Sequence, residues 1–346
     1  MIFDVGMSAQ MTNFKEQGTS VNARNASFEY AVGTFRLLPS VGVSFGILPF
    51  SSIGYEYNTS NYLDATNGTV YETFSGSGGL HEVFVGAGWR VLKPLSVGLN
   101  MSYLWGSYTR AATSSSTTYI NSLSKTYAAS VNSYNLEAGL QWEQPVSQKD
   151  VLTLGATMGL GHKLGADPSC TIINTNSVTS NRDTTTFVVG NGLELPFSYG
   201  VGLGWTHDKR LFVGADATLQ KWGSTEFPEY DNTQKDYVPA KGLMKDRYKV
   251  NVGAAYLPVA APNVRSSYFG RVHYRLGAGY STPYYNIKGH DGPKELSVSA
   301  GLGLPLQNAW NTRGNMRPVL NISAQWIHKS AKDLITENSF CINIGL

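Results

Sequence analysis

Chemistry in this sequence would have to come from a few scattered side chains. The six histidines, His81, His162, His207, His273, His290 and His328, stand apart from one another. A hydrolase needs a nucleophilic hydroxyl, a histidine to take its proton and a third group to orient that histidine. No G-x-S-x-G turn, glycine-rich phosphate loop or H-E-x-x-H pair occurs. Only His273, on the polar phase of its segment, places an imidazole where a serine could approach it, and no other residue supports that reading. Cys170 and Cys341 fit neither a metal spacing nor a redox pair. The expectation is a protein without catalytic residues, metal or cofactor.

The charged residues are more regular. Between residues 267 and 281, Arg271, His273 and Arg275 alternate with Tyr268, Gly270, Val272, Tyr274, Leu276 and Ala278. Arg247 and Lys249 occupy the same phase in the preceding segment, and Glu82, Arg90, Glu137, Glu194 and Asp216 repeat the pattern elsewhere. Charges that share one phase of a two-residue period lie on one face of a sheet. Two readings follow. They form interior ion-pair networks that hold the structure together, or they make a basic patch that meets an anionic headgroup such as a carboxylate.

The elements that carry these residues are strands. Leu152, Leu154, Ala156, Met158 and Leu160 alternate with Thr153, Gly155, Thr157 and Gly159. Leu211, Val213, Ala215, Ala217 and Leu219 do the same, as do Leu193, Leu195, Phe197, Tyr199, Val201, Leu203 and Trp205, and Tyr248, Val250, Val252, Ala254 and Tyr256. One face is apolar, the other small or polar, and no long segment has a helical period. Fourteen strands are predicted, over about 2–12, 26–37, 41–57, 70–91, 95–109, 126–143, 151–164, 190–206, 210–222, 246–257, 267–281, 294–304, 318–328 and 338–346. The glycines at 76, 78 and 79 suggest that the fourth is in two pieces.

Composition says which solvent the apolar face meets. Only 15% of the 346 residues are charged, against about 25% in soluble domains. No apolar run reaches the roughly 18 residues of a membrane-spanning helix. A closed antiparallel sheet is the other structure that satisfies its backbone inside lipid. The fold class expected is therefore all-β, a transmembrane antiparallel β-barrel of about 14 strands, forming one domain over residues 1–346 with the lipid bilayer as partner. The net charge of +3 comes with no basic cluster interleaved with aromatics, so no nucleic-acid partner is expected.

The connections support this. Leu38-Pro39-Ser40, Lys93-Pro94, residues 146–149 and His207-Asp208-Lys209 are short, whereas 110–125, 165–189 and 223–245 are long and polar. Outer-membrane barrels have short periplasmic turns and long outer loops. The segments 110–125 and 171–188 read as Ser/Thr/Asn-rich loops. Trp89, Trp142 and Trp205 precede short turns; Trp105, Trp222 and Trp326 precede long loops. Apart from Trp222, these indoles share the apolar phase, which predicts two aromatic girdles, Trp89, Trp142 and Trp205 in one and Trp105 and Trp326 in the other.

The third segment contains Pro49 in its middle, with Gly46 and Phe50 beside it. Proline donates nothing to a ladder, so this strand needs either a bulge or a gap in the wall. The stretch Phe45-Gly46-Ile47-Leu48-Pro49-Phe50-Ser51-Ser52-Ile53-Gly54-Tyr55, the stretch Asn25-Ala26-Ser27-Phe28-Glu29-Tyr30 and the strand count together resemble the long-chain fatty acid transporter family of outer-membrane barrels (FadL/TodX type), in a form like that of Bacteroidetes bacteria. The resemblance implies a fourteen-stranded barrel of the bacterial outer membrane that takes up hydrophobic small molecules. It also implies a kinked third strand that forms a side exit, matching the position of Pro49. That family carries an N-terminal hatch with an Asn-Pro-Ala motif, which is absent here. The signal peptide, the hatch and the extreme C-terminus are expected to be missing from this sequence. Two alternatives stand beside uptake of fatty acids: a porin-like pore for polar or anionic solutes, suggested by Arg247, Arg271 and Arg275, and a structural barrel that transports nothing.

Overall fold

A computed structural model of the chain describes residues 1–16, 19–63, 68–118, 120–260, 266–287, 290–306, 318–331 and 336–346. Fourteen wall strands are present: β1 Ile2–Glu16, β2 Thr19–Leu38, β3 Val41–Leu63, β4 Gly68–Arg90, β5 Leu95–Ser116, β6 Asn121–Pro145, β7 Asp150–Gly159, β8 Ser198–His207, β9 Leu211–Gln220, β10 Arg247–Tyr256, β11 His273–Ser281, β12 Lys294–Pro305, β13 Val319–Ser330 and β14 Thr336–Gly345. Each pairs antiparallel with its sequence neighbour. β14 returns to β1, with Gly345 opposite Gly6 and Thr336 opposite Lys15, so the sheet closes into a barrel.

The closure follows from the alternation. Outward-phase residues such as Leu99, Met101, Leu154, Val201, Val252, Leu276 and Ile344 are exposed on the outside. The opposite phase of the same strands presents Asn100, Ser102, Thr157, Gly202, Asn251 and Gly277 to the lumen. β7–β11 have nine or ten residues each, close to the roughly 9–11 needed to cross a hydrocarbon core. β2–β6 run from 20 to 25 residues and project well beyond that length at the long-loop end.

Several elements differ from their sequence-based boundaries. The fourth strand is continuous: Gly78 and Gly79 adopt φ of 108° and 158° inside it, and both keep their ladder partners. The polar segment at 110–116 is strand, not loop. Another polar segment forms a hairpin, Ser169–Asn176 against Arg182–Val188, whose first strand adds to the upper half of β6. Neither shows apolar alternation, because neither faces lipid. β11 begins at His273, since Tyr268–Arg271 forms a helical turn. Trp222 lies in a short 3₁₀ turn and stacks on Tyr284, with ring centroids 5.1 Å apart, which explains why it falls out of phase.

The strands predicted at 151–164 and 190–206 are shorter than expected. β7 ends at Gly159 and β8 begins at Ser198. Between them the chain turns into the barrel. Leu193 and Leu195, which continue the alternation of Tyr199, Val201 and Leu203 in sequence, are buried inside. Pro196 precedes β8 and so breaks no ladder.

Candidate functional site

The long-loop end of the lumen is filled by apolar side chains. Leu164, Ala166, Leu193 and Leu195 of the inturned segment pack on Leu104 of β5 and on Ala129 and Val131 of β6, with Leu80, Tyr108 and Phe227 against them. Leu104 is on the lumen phase, opposite to exposed Met101 and Tyr103, and has no solvent exposure. A second cluster stands beside it: Cys170, Val189 and Tyr237, flanked by Tyr127, Ile172, Phe187 and Tyr230. Burial pushes the Cys170 thiol and the Tyr237 phenol up, so both stay protonated and act as packing groups.

Polar bonds tie this stopper together. The backbone N–H of Leu164 donates to the carbonyl of Leu193 at 2.8 Å, and that of Gly192 to Ala166 at 3.0 Å. A hairpin, Glu226–Asp231 against Asp236–Lys241, closes over it. Its Glu226 carboxylate accepts from Lys163 and Lys241, each at 3.4 Å, and its backbone N–H donates to Glu194 at 3.2 Å. The two lysines hold the Glu226 carboxyl below its ordinary range, Lys241 first.

Toward the short turns the lumen is open, with a cavity of about 820 Å³. Its walls are rich in glycine: Gly88, Gly98, Gly139, Gly155, Gly202 and Gly204. A Cβ built on Gly98, Gly139, Gly155 or Gly202 would meet nothing closer than 3.6 Å. These glycines are therefore not required by close packing. They widen the chamber.

The predicted lumen charges divide. Arg247 and Lys249 lie on β10, and His273 and Arg275 on β11, in the phase opposite to the exposed Tyr248, Val250 and Leu276. The Arg275 guanidinium donates to Asn321 at 2.9 Å and shares a cleft of about 590 Å³ with Asp4, Tyr30 and Asn343. Arg247 donates to Ser281 at 3.2 Å and lies over the Tyr284 ring at 5.5 Å. Arg271 is the exception. It sits in the helical turn before β11, not on a strand, with its guanidinium 5.6 Å from the Tyr268 ring centroid. The helical turn breaks the two-residue period that placed it beside His273.

Among the described residues, the wall parts between β2 and β3. β2 and β3 pair only from Leu38 opposite Val41 to Ala31 opposite Ile47. Beyond that point, among the described residues, no pairing joins them, although β1–β2 and β3–β4 stay laddered to their tips. Both strands bulge where the seam begins. In β2, Tyr30 faces Gly6 but Phe28 faces Met7, which leaves Glu29 as the extra residue. In β3, Pro49 faces His81 but Ser51 faces Leu80, which leaves Phe50 as the extra residue. A bulge bends its strand and raises its twist, so two facing bulges part the wall. Gly46 forms the last closed rungs below the seam, and Pro49 and Phe50 form its lower lip. Leu80, opposite Ser51 of β3, also packs on the stopper, so the apolar cluster ends one strand away from the seam.

Of the five tryptophans expected to form girdles, Trp89, Trp142, Trp205 and Trp326 are exposed, and Trp105 is partly exposed. Trp89 lies opposite Val41 and Val97, and Trp142 opposite Leu95 and Leu154, near the short turns. Trp326, opposite Val298 and Phe340, and Trp105, opposite His81, stand toward the other end. The stopper was not readable in sequence. Leu193 and Leu195 look like wall residues there, and Leu164 lies in a segment of mixed character.

A closed fourteen-stranded barrel with a stoppered mouth, a wide lower chamber and a parted seam defines the class of protein. The sequence matches the family model described as BamG over residues 1–346, and the chain belongs to that family. Comparison with curated protein sequences finds no match. Among solved structures, the chain is similar in fold to the toluene transporter TbuX of Ralstonia pickettii (TM-score 0.63, 12% identity, 99% of this chain and 87% of that one). It is also similar to a FadL homologue of Pseudomonas aeruginosa (0.60, 12%, 99% and 89%) and to the CymD monoaromatic hydrocarbon channel (0.58, 13%, 99% and 87%).

Proposed function

We propose that this protein is an outer-membrane channel for hydrophobic or amphipathic small molecules, long-chain fatty acids among them. A solute enters through the apolar stopper, passes Leu80 and leaves sideways into the bilayer between β2 and β3 at Pro49 and Phe50. The observation that carries this reading is an apolar cluster in the mouth that ends one strand away from a parted seam in the wall. An aqueous pore has no use for either feature. The outer face of exposed leucine, valine and tryptophan suits acyl chains, and the girdle tryptophans suit the two interfaces. The fold is shared with proteins described as toluene and monoaromatic hydrocarbon channels, which fits the same reading.

The basic residues Arg247, Lys249 and Arg275 would meet the carboxylate of a fatty acid that enters the chamber. A second reading, a barrel that carries nothing, draws on the completeness of the stopper. The two separate on one substitution. Pro49→Val supplies a ladder donor and lets β3 pair one step further. Uptake of a labelled fatty acid by cells should fall several-fold. Unchanged uptake rejects the side exit.

A further inference from the structure

Two rungs of lumen residues cross six strands beside the base of the seam. One joins Arg275, Gly301, Ser323, Asn343, Ser8 and Ser27, from β11 through β12, β13, β14 and β1 to β2. The next joins His273, Gly303, Asn321, Gly345, Gly6 and Tyr30 on the same strands. Both lie in the phase opposite to exposed Leu276, Ile344 and Met7. The cleft of about 590 Å³ that holds Arg275 and Asp4 lies on these rungs.

Two glycines shape it. A Cβ on Gly6 would stand 2.4 Å from the Tyr30 ring. One on Gly345 would stand 3.0 Å from the Tyr30 hydroxyl and 3.3 Å from Oδ1 of Asp4. Without side chains at these positions, Tyr30 lies against the wall, and its hydroxyl meets the Asp4 carboxylate over Gly345.

The charges of the cleft are not spent on each other. Arg275 is exposed to the lumen and donates to the neutral Asn321 at 2.9 Å. Asp4 accepts from the Tyr30 hydroxyl on Oδ2, at a long 3.4 Å. Its Oδ1 is buried and, among the described residues, has no hydrogen-bond partner. No ion pair among the described residues includes Asp4 or Arg275. A buried carboxylate oxygen without a donor is costly, and a donor that reaches it binds more strongly than to a neutral group. Glu29, at the bulge of β2, is different, because Ser8 and Ser27 both donate to it.

We infer that this cleft is a headgroup site, and that the head it takes carries an anionic acceptor for Arg275 and a hydrogen-bond donor for Asp4. A carboxylate with a neighbouring N–H, as in an N-acylated amino acid, has both. A bare fatty acid offers Arg275 its carboxylate, gives Asp4 no donor and brings it a like charge. The tail has a place as well. Glu29 and Tyr30 line the cleft on β2, and the far edge of β2 is the lip of the seam. This assignment rests on the channel reading above and names the head that the channel prefers.

The test measures equilibrium binding of three probes with one acyl chain to the purified protein in lipid nanodiscs. They are N-palmitoylglycine, N-palmitoylsarcosine, in which a methyl group replaces the amide hydrogen, and palmitate. The glycine conjugate should bind about tenfold tighter than the sarcosine conjugate, the worth of one hydrogen bond to a charged acceptor. Asp4→Ala, checked for folding by heat modifiability, should abolish that preference. Arg275→Gln should weaken both conjugates and keep it. Equal binding of the two conjugates by the parent protein, with palmitate bound as well, overturns the headgroup site and leaves the channel reading standing. A preference that survives in Asp4→Ala also overturns the site. Binding of none of the three probes overturns both readings.

Discussion

A methyl group placed on Gly46 would stand 2.7 Å from the carbonyl oxygen of Ala31, with Val32 and Phe84 as close on its other sides. Gly46, Val32 and Ala31 belong to the last two closed rungs of the β2–β3 ladder, and Phe84 faces Gly46 from β4. The wall is drawn tight immediately below the point where it parts. Gly46→Val should therefore destabilise the barrel by about 1–3 kcal/mol, the usual cost of overpacking, and extend the seam downward. Urea unfolding in lipid vesicles measures the first effect, and faster backbone hydrogen exchange at residues 43–47 the second.

The chamber glycines should behave in the opposite way. A Cβ at Gly139 or Gly155 meets only ordinary contacts of 3.7 Å or more, so the folded fraction of Gly139→Leu and Gly155→Leu should match the parent in a heat-modifiability assay. Solute capacity should fall, because the new side chains fill the cavity. Misfolding of both variants would show that these glycines serve packing after all.

Glu226 clips the stopper to Lys163 and Lys241. Glu226→Gln should loosen it and raise single-channel conductance. The same clip gives a pH dependence. The folded carboxyl titrates below its ordinary value of 4.5, so its contribution is complete above that value and lost as the pH falls through the lowered one. Conductance of the parent should rise on acidification below about pH 4.5, and the Gln variant should lack that step.

Arg275 tests what the lumen charges do. If it receives a carboxylate, Arg275→Gln should weaken binding of a fatty acid several-fold and leave binding of a neutral hydrocarbon such as toluene unchanged. An equal loss for both ligands would mean that its bond to Asn321 holds the wall.

Much of this architecture could be read in the sequence. Wall strands declare themselves because each has one lipid phase and one lumen phase, as Leu152–Met158 and Tyr248–Tyr256 do. Pro49 shows in one letter that a ladder donor is missing, and β3 bulges beside it. Residues 110–116 and 169–176 look like loops in the sequence because strands that face no lipid need no apolar phase. Arg271 was misplaced because a single helical turn is too short to show a period. The stopper was hidden for a different reason. Leu193 and Leu195 keep in step with β8, and only the inward turn of the chain between Gly159 and Ser198 takes them off the wall.

The most direct test compares two solutes on the purified protein in the same liposomes. A labelled long-chain fatty acid should transfer well above the rate of protein-free vesicles, with no swelling in small sugars. Sugar-driven swelling without fatty-acid transfer would contradict it.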